Sequence, residues 1–229
     1  MERPLDDETW RRFEQLQARR PGGFAIAALV RPPDPAAGED EERWLARVRP
    51  VAARAPFGLH THWTSPTHAR PTGGDPAVRV RREVAWLRER GLEPTLFAGG
   101  GWYIDEAVAD ALAELGLADC TGTSFRPRYL EAEAPRLQAE EPATLALPSG
   151  RRLAELPATH SLGALARGAA GRLPRYVHAY FHDTDLLDPR RLAALSVALA
   201  VLARRRGRSD LAELARQPLP DGVFPTATG

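Results

Sequence analysis

Short apolar runs alternate along this chain with amphipathic stretches of helical period, and a glycine or proline turn separates most of them. This alternation restricts the fold more than any single residue does, because strand–helix–strand units close most simply as parallel strands joined by right-handed crossovers. The spacing predicts helices over 7–20, 39–55, 75–90, 105–115, 161–170 and 189–206, and strands over 24–30, 57–62, 94–98, 117–121 and 175–182. Segments 143–147 and 152–156 flank Pro148-Ser149-Gly150 as a hairpin would. Pro76 at a first helical position and Gly91 and Gly116 just past helix ends punctuate the pattern, while Pro50 should end or kink the second helix. The region 124–141 carries proline and charge without a period and is expected to be irregular. One domain spanning 1–229 is expected, as an open or closed β/α barrel, with a flavodoxin-like sheet as the alternative.

With 229 residues, 43% of them hydrophobic, the chain can bury a full core. Its 31 basic and 30 acidic residues nearly cancel, so no global field attracts nucleic acid or an anionic membrane, and a small or neutral partner is expected. Every basic residue besides histidine is arginine, which removes lysine-based chemistry. The single cysteine, Cys120, cannot form an internal disulfide and reads as a buried apolar residue. Neither a signal-peptide core nor an apolar run of membrane-spanning length is present, and a soluble, cytoplasmic protein is expected.

Chemistry concentrates in two places. Phe57-Gly58-Leu59-His60-Thr61-His62-Trp63 ends a strand-like run with two histidines one residue apart, which strand alternation projects from one side, as metal ligands often are. Tyr176-Val177-His178-Ala179-Tyr180-Phe181-His182-Asp183 is a second run ending in histidine. In a β/α fold catalytic groups gather at the carboxyl ends of strands, so the two runs are expected to share one site. Trp63, Trp102, Tyr103 and Tyr129 follow expected strands, where flat rings can stack on a sugar face or simply pack the rim. Gly99-Gly100-Gly101 reads as a tight strand-to-helix turn, His68 as a solvated loop residue, and His178 and His160 as structural.

Three stretches carry a resemblance to the polysaccharide deacetylases, the metal-dependent carbohydrate esterases: 60–68, 96–102 ahead of the helix ending Ala111-Leu112-Ala113-Glu114-Leu115-Gly116, and Phe181-His182-Asp183 ahead of the last helix. The resemblance implies a distorted (β/α)7-type barrel, open where its first strand is missing, and a divalent metal, usually zinc. It implies hydrolysis of an N-acetyl group on a sugar or related amide, with an oligosaccharide or small molecule as substrate. His60 and His62 are then the metal ligands and His182 the late histidine that protonates the leaving amine, with Asp183 or Asp119 as a carboxylate partner for an imidazole.

The chain departs from that family in three ways. The family's metal-site histidines stand four residues apart, the arginine expected after Phe97 is Ala98, and Asp6-Asp7 precedes the first helix as a cap would instead of ending a strand. Two rivals follow: a saccharide-binding barrel that is catalytically impaired or truncated at its first strand, and a phosphoesterase of the polymerase-and-histidinol-phosphatase type, whose His-x-His opening resembles Leu59-His60-Thr61-His62.

Overall fold

The computed structural model describes residues 1–127, 130 and 134–225. Strands β1 (Ala28–Val30), β2 (Phe57–Thr61), β3 (Leu96–Gly99) and β4 (Ala118–Asp119) pair in parallel, in chain order. The helices between them are α2 (Glu41–Ala52), α3 (Pro76–Glu89) and α4 (Glu106–Leu115), preceded by α1 (Asp7–Arg19). Strands β5 (Ala143–Ala146) and β6 (Arg152–Glu155) form the expected antiparallel hairpin, and β6 joins β4 in parallel. Then follow β7 (His160–Ser161), α5 (Leu162–Gly168), β8 (Ala179–Tyr180), α6 (Pro189–Arg205), α7 (Leu211–Leu214) and β9 (Asp221–Val223).

The result is a seven-stranded, mostly parallel sheet in the order β1-β2-β3-β4-β6-β5-β9, with β7 and β8 as a separate parallel pair. The expected strand at 175–182 contracts to two residues because its backbone turns to β7 instead of the large sheet: the Thr159 hydroxyl accepts from the His178 N–H at 2.9 Å, and the His178 carbonyl accepts from the Thr159 and His160 N–H groups. β9 and α7 have no counterpart in the sequence reading. No helix among the described residues is long and apolar enough to cross a membrane.

Local chemistry explains the helix ends. Asp6, Asp40, Asp75, Asp105, Ser161 and Asp188 each cap a helix through the side-chain oxygen, and Gly116 closes α4 in the left-handed conformation. Asp6 thus serves as the cap that its position suggested. Pro50 falls in the last turn of α2, close enough to the end that the helix runs only to Ala52.

Strand alternation splits the sheet into two environments. Leu59 and Phe97 belong to one large buried cluster with Trp44, Val80 and Val84 of the helical layer, and Thr61 on the same side donates to Glu83 of α3 at 2.7 Å. On the opposite side Leu96, Ala118, Cys120 and Leu156 form a smaller cluster flanked by Leu211 and Leu214 of α7. Gly58 faces that side at the tightest point between β2 and β3, where a Cβ would lie 2.6 Å from the Leu96 carbonyl oxygen. Gly58→Ala must therefore push the strands apart, and urea unfolding should show a loss of about 1–3 kcal/mol.

Candidate metal centre

The carboxyl ends of β1 and β2 converge on one polar cluster. β2 carries His60 at its end and His62 just beyond, and their rings lie edge to face with centroids 5.0 Å apart. His60 Nδ1 contacts the Ala98 carbonyl at 2.8 Å, across its register partner on β3, and His62 Nδ1 contacts the Pro66 carbonyl at 2.8 Å. A carbonyl can only accept, so each Nδ1 carries a proton and donates it, and in the neutral ring Nε2 is then a lone pair. His62 Nε2 is buried without a hydrogen-bond partner among the described residues.

A third group reaches this point from the start of the sequence. Met1 lies along the outer edge of β1: its nitrogen donates to the Leu29 carbonyl at 2.7 Å, and its carbonyl accepts from Arg31 at 3.1 Å. Glu2 is thereby set beside the histidines, with Oε1 3.9 Å from His62 Nε2. Ligand atoms of Glu2, His60 and His62 all lie within 4.8 Å of one another. Two imidazole nitrogens and a carboxylate oxygen are a donor set typical of zinc and similar divalent ions, and the orphaned Nε2 of His62 is a lone pair that such an ion would satisfy.

Electrostatics match that use. Burial holds the His60 imidazole neutral, its pKa lowered to about 3, with the Met1 amine and His62 adding to the effect. The Glu2 carboxyl is lowered to about 2, chiefly by its pairing with His62, with His182 and His60 contributing against the cost of burial. His60 is therefore offered as neutral imidazole and Glu2 as ionised carboxylate, the forms in which these groups bind metal.

His182 joins the same carboxylate. Its Nε2 lies 3.7 Å from Glu2 Oε1, while its side chain stays 51% exposed. Asp183, the neighbour expected to orient it, is buried and does something else: one carboxylate oxygen accepts from the Glu2 and Arg3 N–H groups at 2.8 and 2.6 Å. Asp183 thus clamps the backbone that presents Glu2.

The aromatic residues divide by role. Trp63 is buried, donates its indole N–H to the Gly100 carbonyl at 3.1 Å and packs on Phe97 and Tyr103, so it holds the strand ends together. The Tyr103 hydroxyl is committed to Asp105 at 2.5 Å. Trp102 sits at φ +59, a backbone conformation that side chains rarely adopt, and its ring packs edge-on against Tyr180 at 4.8 Å and Phe125 at 5.8 Å. Tyr180 in turn lies 5.8 Å from His182, so these rings form a wall leading to it. Tyr129 lies outside the described residues. His68 is exposed in the loop after β2, and His178 is anchored to the Leu156 carbonyl at 3.1 Å.

Asp119 occupies a separate environment. It is fully buried opposite Glu155 in the β4–β6 register, and Thr121 donates to one of its oxygens from both N–H and hydroxyl, at 3.0 and 2.5 Å. The other Asp119 oxygen and both Glu155 oxygens are buried without partners among the described residues. Burial raises both carboxyls, and the Asp119 charge raises Glu155 well above 4.5, whereas the Thr121 bonds work against the rise at Asp119. The two carboxyls therefore share one proton, retained by Glu155, whose pKa is raised the further of the two.

Glu2, Glu155, Phe125 and Tyr180 were not singled out from sequence. Glu155 had a readable signal, an acidic residue next to Leu156 in an expected strand, while Glu2 had none. No protein-family model matches the chain, and no curated protein matches it either.

The shared proton has a measurable consequence. A carboxyl whose folded pKa is raised stabilises the fold fully below its unfolded pKa and loses that contribution as pH rises through the folded pKa. Glu155→Gln keeps a neutral donor, so the stability of the variant relative to the parent should rise with pH above about 4.5. Chemical denaturation across the pH range would show this; a difference that does not vary with pH would mean that no proton is shared.

Proposed function

We propose that this chain is a divalent-metal-dependent hydrolase of N-acylated amines, in the manner of the polysaccharide deacetylases, on a β/α framework of the distorted (β/α)7-barrel type. The observation that carries the reading is the pair of Nδ1-anchored imidazoles turned toward Glu2, with His182 on the same carboxylate. Glu2, His60 and His62 would hold the ion, and zinc suits this donor set. The chemistry such an ion supplies is Lewis-acid polarisation of an amide carbonyl and activation of water near neutral pH.

The chain's own residues account for the rest. His182 stands at the exposed rim within reach of Glu2, where an imidazole can hold a proton and release it to a departing amine nitrogen. The wall of Trp102, Phe125 and Tyr180 supports that imidazole and offers ring faces and edges to a sugar or comparable flat group. Asp183 positions Glu2 by holding its N–H, and the Ala98 and Pro66 carbonyls fix the orientation of the ligand histidines.

Among the described residues Glu2, His60 and His62 are the one group of this kind, which supports a single ion over the several expected of the phosphoesterase rival. The purified protein should carry about one equivalent of divalent metal, lost in His60→Ala and His62→Ala. Acetate release from N-acetylated sugars should fall about 10²–10⁴-fold in His182→Ala with metal content unchanged. Full release after chelation, or full release by His182→Ala, would remove the proposal; a metal-free native protein would indicate a binding protein instead.

A further inference from the structure

We infer that the candidate metal centre takes an amphiphilic substrate, an amide whose acyl group is a long apolar chain lying in the cavity beneath the centre; this rests on the hydrolase reading above. The cavity has a volume of about 920 Å³, near the upper end of the range in which small-molecule sites fall. Glu2, His60 and His182 line it. Much of the remaining lining is apolar, with Phe13 of α1, Leu29 of β1, Leu195, Leu199 and Leu202 of α6, and Leu214 of α7, while Arg70, Arg175 and Arg206 add charge to it.

The sheet wall opposite those side chains is built from small residues, which keeps the space open. Ala27, Ala98, Cys120 and Ala158 line it, and none of these side chains reaches across. Folded interiors are packed as densely as organic crystals, so an unfilled cavity of this size with a largely apolar lining suits an apolar occupant. A molecule with a polar group at Glu2 and His60 and a flexible hydrocarbon body fits both kinds of lining. An acetyl group would leave most of it unfilled.

The competing occupant is an extended polypeptide laid along β1. That edge gives a strand little to pair with. β1 spans three residues, and its outward Leu29 carbonyl and Arg31 N–H are already taken by Met1. The fit to the cavity therefore favours a chain held by side-chain contact over one held by backbone pairing.

The decisive experiment compares fatty acids of increasing length on the zinc-loaded protein by calorimetry, with metal content measured in the same samples. Affinity should climb about fourfold per methylene from hexanoate to dodecanoate, the increment expected for burying each CH₂. N-Dodecanoylglucosamine should be hydrolysed with a kcat/KM at least about tenfold above that of N-acetylglucosamine. Leu199→Trp, which fills the cavity from the helical wall, should abolish the length dependence while the metal stays bound. Cys120→Phe fills it from the sheet wall and provides the same test if the first variant does not fold.

Bound metal with no length dependence would overturn this inference and leave the hydrolase reading standing. Length dependence in a protein that binds no metal would overturn the hydrolase reading and this inference with it, leaving a cavity that holds a hydrocarbon chain without chemistry. An extended peptide of alternating valine and threonine that binds while dodecanoate does not would assign the cavity to a polypeptide strand and overturn the inference as well.

Discussion

Two hydrogen bonds organise the polar end of this molecule: His60 Nδ1 to the Ala98 carbonyl and His62 Nδ1 to the Pro66 carbonyl. Each uses a backbone acceptor fixed by something larger. Ala98 is locked in the β2–β3 register, and Pro66 belongs to the turn that Trp63, Thr64 and Ser65 close by accepting or donating backbone bonds with 68 and 69. Because the Nδ1 protons are committed there, both rings expose Nε2, and the tautomer follows from the fold. Glu2 has no such anchor in its side chain and is placed through its backbone, by Asp183 on one side and the pairing of Met1 with β1 on the other.

The framework was legible in the sequence wherever periodicity was long enough to be read. The helices at 7–19, 41–52, 76–89, 106–115 and 189–205 fall close to their apolar stripes and aspartate caps, and the hairpin at 143–155 follows its turn. The His-x-His pair was legible for the same reason, since a strand period of two puts 60 and 62 on one side. What escaped the reading was short or set by distant partners. β8 keeps two residues because Thr159 competes for its backbone, and β9 depends on a register with β5 across more than seventy positions of sequence.

The site itself was half legible. His182 was picked out by its place after a strand, and it does share a carboxylate with the pair at 60 and 62. Glu2 could not be found, because a glutamate at the second position belongs to no period and gains meaning only from three-dimensional contact. Asp183 and Asp119 were chosen as imidazole partners by proximity in sequence and by strand position. Asp183 accepts instead from the N–H groups of Glu2 and Arg3, remote in sequence, and Asp119 from Thr121 two positions on.

The contrast between Glu2 and Glu155 explains why one carboxylate suits chemistry and the other suits structure. Glu155 is fully buried and Glu2 partly so, and burial alone would raise both. Glu2 faces three imidazoles, and their proximity outweighs desolvation, so it stays ionised and available to a cation. Glu155 faces an aspartate, a thiol and the phenol of Tyr176, with no cation among the groups acting on it, so it retains a proton. Opposite surroundings thus assign opposite protonation states to two glutamates, and the ionised one is the one that borders the cavity.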